Sequence, residues 1–294
     1  MQRHGFLLLS FIVLGSAPVS AETRVPFELV HDQIVLEVSL GDSGPFAMLL
    51  DTGVDPSVVD LGTARTTGRL ESDEPIGYAG GVGSEKVALF AARLDGVRIG
   101  ELEPEPFDAV AMDLEPLARK LGRPLHGILG YSFLRDRSLR IDYPSRTVTF
   151  DPPPNEPGPH AYAASLELVP DDTLPLVREL AVDGTRVPVS IDTGSSLVLE
   201  LYTDGAARAG VEPTADEAST ITGARGEEEV RRGRVGRLEL GPLLLEDQDV
   251  TLSTGPRAGS LRQGNLGNGF LRHFALTLDY PGRRLVIEPS GPAP

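Results

Sequence analysis

The order of apolar and polar positions along the chain predicts many short β-strands. Residues Gln33–Leu40 alternate loosely between apolar and polar side chains, while Thr147–Phe150 and residues 284–287 are short runs rich in strand-forming residues. Turn signals rich in Gly, Asp and Pro separate such runs. Short helices are expected at two places, 114–121 and Thr203–Ala209. Short strands joined by Gly and Pro turns are typical of an all-β sandwich or barrel.

A self-comparison shows that the chain is a tandem repeat. Four blocks keep the same order in both halves: PFAMLLDTG (45–53) with RVPVSIDTG (186–194), residues 98–100 with 239–241, GILGYSFL (127–134) with GNLGNGFL (264–271), and IDYPSRTVTF (141–150) with LDYPGRRLVI (278–287). The first pair is offset by 141 residues and the last two pairs by 137.

Between the halves, the segment DPPPNEPGPH is rich in proline, which fixes φ and lacks an amide donor, and it predicts an extended connector. We therefore divide the chain into a signal peptide (1–21), a first lobe (22–150), a linker (151–160), a second lobe (161–290) and a tail (291–294).

The assignment of a secretory signal peptide rests on three features of the N-terminus. Arg3 gives a positive start, residues 6–14 form a mostly apolar run, and Val19-Ser20-Ala21 is a small-residue cleavage site. The apolar run is shorter than the roughly 20 residues that span a bilayer, so an uncleaved anchor is the less favoured alternative. We expect cleavage after Ala21 and export to a periplasm or out of the cell, with no membrane attachment afterwards.

Composition narrows the class of partner. Without the signal peptide, 26 basic residues stand against 43 acidic ones, a net charge of −17. Such a charge disfavours binding to nucleic acid or to anionic membranes. The chain has no Cys, so it forms no disulfide and uses no thiol chemistry. The five His residues show no ligand spacing and no GxSxG element occurs, so neither a metal site nor a serine hydrolase is indicated.

The candidate chemistry lies in the tripeptide Asp-Thr-Gly, which ends an apolar run in each half. The copies are Asp51-Thr52-Gly53 and Asp192-Thr193-Gly194. Two carboxylates in one site cannot both ionise cheaply, so they share a proton, and one can deprotonate a water while the other donates a proton. A single copy would be explained as a strand-to-turn junction. Two copies in register with the downstream blocks favour a catalytic pair of Asp51 and Asp192.

With these blocks, the chain resembles the pepsin and retropepsin family of aspartic peptidases, and most of all the bacterial retroviral-type aspartyl peptidases. In that family a strand ending in DTG is completed by a later apolar-apolar-Gly segment, the ψ-loop. The corresponding residues here are Ile128, Leu129 and Gly130 in the first half and Asn265, Leu266 and Gly267 in the second. The GxLGxxFL blocks followed by a DYP strand match the end of such a domain. The resemblance covers residues 25–287.

The resemblance implies a fold and an activity. The fold is two tandem small β-barrel-like lobes with the active site between them. The activity is that of an aspartic endopeptidase acting on a peptide or protein, with water as the nucleophile and no metal or organic cofactor. Gly53 and Gly194 would let the loops bend and approach each other, and the hydroxyls of Thr52 and Thr193 would hold the loops in register. Because one chain carries both lobes we expect a monomer; exchange of lobes between two chains is the alternative, disfavoured by the short linker.

Members of the family close the cleft with a Gly-rich hairpin, the flap. The candidate in the first half is residues 76–83, with Tyr78, Gly80 and Gly81, and the matching segment of the second half contains Gly223. Glycines there would allow lid motion and close approach to an extended substrate. A plain hairpin without substrate contact is an equal alternative for Tyr78.

Two positions depart from the family pattern. The second DTG continues as Ser195-Ser196, the usual form, whereas the first continues as Val54-Asp55. If Asp55 points inward it raises nearby carboxyl pKa values; if it points outward it is only a turn residue. Asn265 is polar where the family has an apolar residue. Both departures leave the fold intact but favour an alternative function, a peptide-binding or scaffold protein with weak or no turnover.

Overall fold

The computed structural model describes residues 22–79, 86–154, 156–169, 173–214, 218–223, 226–253 and 261–290. The predicted signal peptide, the predicted flap residues Gly80 and Gly81, and the predicted tail lie outside these ranges.

The first half consists mainly of strands. In chain order its elements are β1 (Thr23–Pro26), β2 (Glu28–Val30), β3 (Gln33–Leu40), β4 (Ser43–Leu50), β5 (Ser57–Asp60), α1 (Leu61–Thr66), β6 (Leu70–Ala79), β7 (Val87–Leu94), β8 (Val97–Arg98), β9 (Phe107–Met112), α2 (Glu115–Leu121), β10 (Gly127–Leu129), α3 (Tyr131–Leu134), β11 (Ser138–Asp142) and β12 (Thr147–Phe150).

The second half repeats most of this order. Its elements are β13 (Tyr162–Ser165), β14 (Glu167–Leu168), β15 (Pro175–Val182), β16 (Thr185–Asp192), β17 (Leu199–Tyr202), α4 (Thr203–Ala209), β18 (Ser219–Gly223), β19 (Gly226–Leu240), β20 (Leu243–Ser253), β21 (Gly264–Gly267), α5 (Asn268–Leu271), β22 (Phe274–Asp279) and β23 (Arg284–Pro289). The predicted strand at 33–40 and helix at 203–209 are confirmed with those bounds, and the predicted helix at 114–121 begins one residue later, as α2.

A six-stranded sheet joins the two halves. Its order is β1-β12-β11-β22-β23-β13, so each half contributes three strands. The central contact is antiparallel, with Ser138 opposite Asp279 and Asp142 opposite Ala275. An ion pair between Arg140 and Glu288, 2.6 Å apart, crosses the same boundary. The halves therefore share main-chain hydrogen bonds and not only side-chain packing.

Each half also has a sheet of its own. In the first lobe the order is β2-β3-β4-β10-β5-β9-β7-β6, with β8 added to β3. In the second it is β14-β15-β16-β21-β17-β20-β19-β18, and an extra pairing of β15 with β19 closes six of these strands into a barrel. The predicted all-β, two-lobe architecture is confirmed.

Buried apolar positions along the strands form the core. On β16, Val187, Val189 and Ile191 are fully buried and belong to one apolar cluster. The same cluster contains Leu139 of β11 and Leu278 of β22 and therefore runs through both lobes. A second apolar cluster covers the outer face of the first lobe, where α2 packs. Within the described ranges, no helix is long and apolar enough to cross a bilayer.

Candidate active site

Each Asp-Thr-Gly loop begins where a buried strand ends beside a ψ-loop. In the first lobe β10 runs parallel to β4, with Leu129 opposite Leu50, and the Asp51 amide donates to the Leu129 carbonyl at 3.0 Å. In the second lobe β21 runs parallel to β16, with Leu266 opposite Ile191. The predicted ψ-loop residues Ile128, Leu129, Gly130, Asn265, Leu266 and Gly267 all lie at this junction, and all are buried. Pairing with a neighbouring strand of the same sheet thus fixes the position of each aspartate.

The structure brings Asp51 and Asp192 together. The Asp51 carboxylate lies against Gly194, and the Asp192 carboxylate lies against Gly53, so closely that a Cβ on either glycine would collide with it. Each glycine amide also donates to the aspartate of its own loop, from Gly53 to Asp51 at 2.7 Å and from Gly194 to Asp192 at 3.0 Å. The glycines are needed for this close approach and not for an unusual φ.

The two threonines form a reciprocal set of hydrogen bonds between the lobes. The Thr52 amide donates to Thr193 Oγ1 at 3.0 Å, and the Thr193 amide donates to Thr52 Oγ1 at 3.1 Å. Each hydroxyl then donates to the carbonyl that precedes the opposite aspartate, Thr52 to Ile191 at 2.8 Å and Thr193 to Leu50 at 2.9 Å. All four bonds are buried, and they lock the loops in register as the sequence leads one to expect.

The environment of the pair favours one shared proton. Burial, and after it the neighbouring Asp192 charge, raises the pKa of Asp51 from 3.8 to about 8, although the amides of Gly53 and Gly194 oppose the shift. A hydrogen bond joins the two carboxyl groups. Two carboxyls in this geometry hold one proton between them over a range of pH.

The tyrosines of the two DYP sequences lie near the loops of the aspartate pair, and each contacts a residue of the opposite lobe. Tyr143 donates to Asn268 Oδ1 at 2.7 Å, and Asn268 Nδ2 donates to the carbonyls of Thr193 and Asp32, both at 2.6 Å. Tyr280 packs edge-on against Tyr131, with ring centroids 5.8 Å apart. Burial, with the nearby Tyr131 and Asp51, raises the pKa of Tyr280, so its hydroxyl stays protonated.

The turn between β2 and β3 adds a second set of contacts across the lobes. Gln33 Nε2 donates to the Gly194 carbonyl at 2.6 Å, and Arg272 Nη1 lies 2.8 Å from Asp32 Oδ1. These bonds tie the second active loop and α5 to the first lobe.

Asp55 points outward from the site. Its side chain is exposed and accepts a hydrogen bond at 2.7 Å from Thr173 Oγ1 of the second lobe. It therefore adds no third carboxylate to the pair. The position that supports the first loop is Ser57, which is fully buried and accepts from the Gly130 amide at 3.0 Å.

The serines after the second DTG serve the loop itself. The Ser195 amide donates to the Asp192 carbonyl at 3.3 Å, its Oγ accepts from Leu197 at 3.3 Å, and its carbonyl accepts from Asn268 at 2.8 Å. Ser196 is exposed. Ser195 thus shapes the turn that carries Asp192.

Each lobe has a hairpin at the position expected for a flap. In the first lobe β6 and β7 pair, and Ile76 and Tyr78 are 63% and 62% exposed, more than any other large apolar residue that the structure describes in this lobe. In the second lobe Gly223 of β18 pairs with Gly226 of β19. The contact of Tyr78 with a substrate stays a prediction, and Gly80 and Gly81 lie outside the described residues.

Asn265 is buried within a polar cluster on the second lobe. Its Nδ2 donates to Glu200 Oε2 at 3.1 Å, and its Oδ1 accepts from Ser190 and from Arg262. The described residues contain no group of three or more His, Cys, Asp and Glu side chains that could hold a metal ion.

Sequence reasoning missed several residues that build this site, and their signals differ. Tyr143 and Tyr280 stand in repeated DYP blocks, so repetition marks them although no role follows from it. Asn268 occupies the position of Tyr131 in the aligned blocks, so comparing the halves hides it. Gln33 lies outside every repeated block and gives no signal.

The comparison with family models agrees with this geometry. The model of aspartyl proteases matches residues 36–133 and matches again at residues 179–270. The two segments together cover more than half of the chain, and each contains one Asp-Thr-Gly loop and one ψ-loop. No protein with a curated description matches the chain. The chain belongs to the aspartyl protease family, with two retropepsin-like regions in one polypeptide.

Proposed function

We propose that this protein is an exported aspartic endopeptidase in which Asp51 and Asp192 together activate a water molecule. The observation that carries the proposal is the close approach of the two loops, in which each of the two carboxylates packs against the glycine of the opposite loop. Burial and the neighbouring charge favour one shared proton there. Family membership supports a peptide or protein as the substrate.

The chemistry follows from the shared proton. The ionised carboxyl removes a proton from water, and the resulting hydroxide attacks the scissile carbonyl carbon. The protonated carboxyl donates to the carbonyl oxygen, so negative charge does not accumulate on the tetrahedral intermediate. As the C–N bond breaks, the carboxyl that took the proton from water gives it to the leaving amine, and the other carboxylate takes a proton from a hydroxyl of the tetrahedral intermediate, which becomes the carboxyl product. The pair is then singly protonated again. The threonine bonds hold the two loops that carry these carboxyls in register.

Export and a monomeric state complete the proposal. The N-terminal sequence supports a signal peptide cleaved after Ala21, and N-terminal sequencing of the exported protein should start at Glu22. The shared six-stranded sheet supports pairing of the lobes within one chain. Light scattering should give the mass of one chain; a dimer would point to exchanged lobes.

A peptide-binding protein without useful turnover is the second candidate. The feature that favours it is the polar Asn265 beside the second active loop. Asp55 does not support it, because its side chain is exposed and lies away from the pair.

Cleavage of a diverse peptide library by the protein beginning at Glu22, from acidic to neutral pH, tests the proposal. Asp51→Asn and Asp192→Asn should each reduce cleavage at least about 100-fold, while the matched change at the exposed Asp55, Asp55→Asn, should leave it nearly unchanged. Cleavage that survives both dyad substitutions would overturn the assignment. Peptide binding without cleavage by the unaltered protein would establish the second candidate instead.

A further inference from the structure

Four buried polar side chains form a cluster on the outer face of the strands that carry Asp192. They are Ser190 of β16, Glu200 of β17, Arg262, and Asn265 of β21, and they are 0%, 7%, 3% and 8% exposed. We call them the second-lobe polar cluster. None of them has a part in the chemistry proposed for the aspartates.

Hydrogen bonds connect the members of the second-lobe polar cluster across three strands. Ser190 Oγ donates to Asn265 Oδ1, and Asn265 Nδ2 donates to Glu200 Oε2 at 3.1 Å. Arg262 Nη1 reaches Ser190 Oγ at 3.3 Å and Asn265 Oδ1 at 3.2 Å, and its guanidinium lies over the Tyr202 ring at 5.6 Å. Asn265 is thus the centre through which β16, β17 and β21 are joined by side chains.

The first lobe occupies the equivalent positions with apolar residues. Ser190 and Glu200 both pair with Asn265, as Leu49 and Val58 both pair with Ile128 in the first lobe. The repeat offset that relates Ile128 to Asn265 also relates Leu125 to Arg262. All four first-lobe residues belong to the apolar cluster under α2. The same fold can therefore be built with apolar residues at these positions.

A gain in stability alone does not explain why buried polar side chains occupy these positions. A buried network of charged and polar groups stabilises a fold no better than well-packed apolar residues of similar size. Its hydrogen bonds are directional, however, and they fix the relative positions of the groups that they join. Ser190 stands two residues before Asp192 on the same strand, roughly 7 Å away along the chain. Fixing Ser190 against β21 fixes the end of the strand from which Asp192 projects.

We infer that the second-lobe polar cluster is a positioning device that holds Asp192 at its place opposite Asp51. Only the predicted effect on kcat rests on the proposed function. The position of Asp192 also affects how tightly the pair holds its shared proton, and the pH dependence of unfolding measures this without any cleavage.

The first part of the test compares Ser190→Ala with Ser190→Thr. Alanine removes the hydroxyl that links Arg262 and Asn265, and threonine keeps it. Ser190→Ala should lower kcat about 10-fold or more with little change in KM, because a displaced catalytic group costs rate and not substrate binding. Ser190→Thr should restore most of the rate. Leu49→Met, a change of similar volume at the buried first-lobe residue that matches Ser190, serves as the control and should leave kcat within about twofold.

The second part measures the pH dependence of the unfolding free energy. The titratable groups that bear on Asp51 are Asp192 from the facing loop and Tyr280 from the shared sheet. If Ser190→Ala lets Asp192 move away, the loss of stability between pH 4 and pH 8 should become smaller, and Ser190→Thr should regain the slope of the unaltered protein. If Asn265→Leu folds, it should also reduce the loss of stability between pH 4 and pH 8. If it does not fold, the comparison of Ser190→Ala with Ser190→Thr is the test.

The outcomes separate the two proposals. If the protein cleaves no peptide, the proposed function is wrong. A change in Ser190→Ala in the slope of the unfolding free energy against pH would still support the positioning role. Unchanged kcat and unchanged slope in a natively folded Ser190→Ala variant would overturn the inference and leave the second-lobe polar cluster a packing feature.

Discussion

At the scale of single residues, burial separates the two aspartates of the first active loop. Asp51 and Asp55 are four positions apart, but the Asp51 carboxylate lies against Gly194 of the opposite loop. Burial and the neighbouring Asp192 charge raise the pKa of Asp51. Asp55 is exposed and bonded to Thr173. Residue type alone therefore does not determine which carboxyl joins the pair. The strand β4, which ends just before Asp51, places that carboxyl against the opposite loop.

The raised pKa predicts how stability depends on pH. Asp51 binds its proton more tightly in the folded state than in the unfolded one, so its contribution is fully favourable below pH 3.8 and is lost as pH rises toward about 8. Asp51→Asn removes this dependence. The variant should gain stability relative to the unaltered protein as pH rises, by at most about 1.4 kcal/mol for each pH unit.

Urea unfolding at pH 4, 6 and 8 measures this gain. Asp55→Asn makes the same chemical change at an exposed position and should show no comparable trend. A difference between Asp51→Asn and the unaltered protein that stays constant over this range would contradict the assignment of a shared, buried proton.

At the scale of elements, comparison of the two halves explains what could be predicted from the sequence. The active loops, the ψ-loops and the DYP strands occur in both halves, and this repetition is enough to identify them in the sequence. The short helices α3 and α5 lie inside the repeated blocks but are too brief for a helical period to show. Features that differ between the halves stay hidden, as Asn268 against Tyr131 and Ser190 against Leu49 show. Their contacts depend on partners far away in the chain.

The reciprocal threonine bonds give a prediction about the two loops as a unit. Thr52→Ala leaves the buried Thr193 amide without its acceptor and the Ile191 carbonyl without its donor. Each unsatisfied group costs about 1–3 kcal/mol, so the free energy of unfolding should fall by about 2–6 kcal/mol. Thr52→Ser keeps the hydroxyl and loses one methyl group, about 1 kcal/mol. Equal losses for the two variants, measured by urea unfolding, would show that the methyl and not the hydroxyl matters.

At the scale of the whole molecule, the two lobes are one folding unit by construction. The six-stranded sheet takes three strands from each half, and the largest apolar cluster contains buried side chains of both. Separation of the lobes would expose the edges of β11 and β22 together with that apolar surface. The Asp51 and Asp192 loops meet at the same boundary, so the geometry of this pair depends on both lobes.

This architecture predicts that a destabilising substitution in one lobe lowers the urea midpoint of both lobes. The chain has no Trp, so a single tryptophan can report on one lobe at a time, through Phe46→Trp in the first lobe or Leu245→Trp in the second, both at half-buried positions beside the core. Leu36→Ala, placed in each reporter protein, empties a fully buried site of the first lobe and should cost about 2–5 kcal/mol. Both reporters should then show the same shift in urea midpoint, because a cooperative unit unfolds in a single transition. A shift seen by the first-lobe reporter alone would mean that the shared sheet opens before either lobe unfolds, and the pair of aspartates would then separate in a partly folded protein.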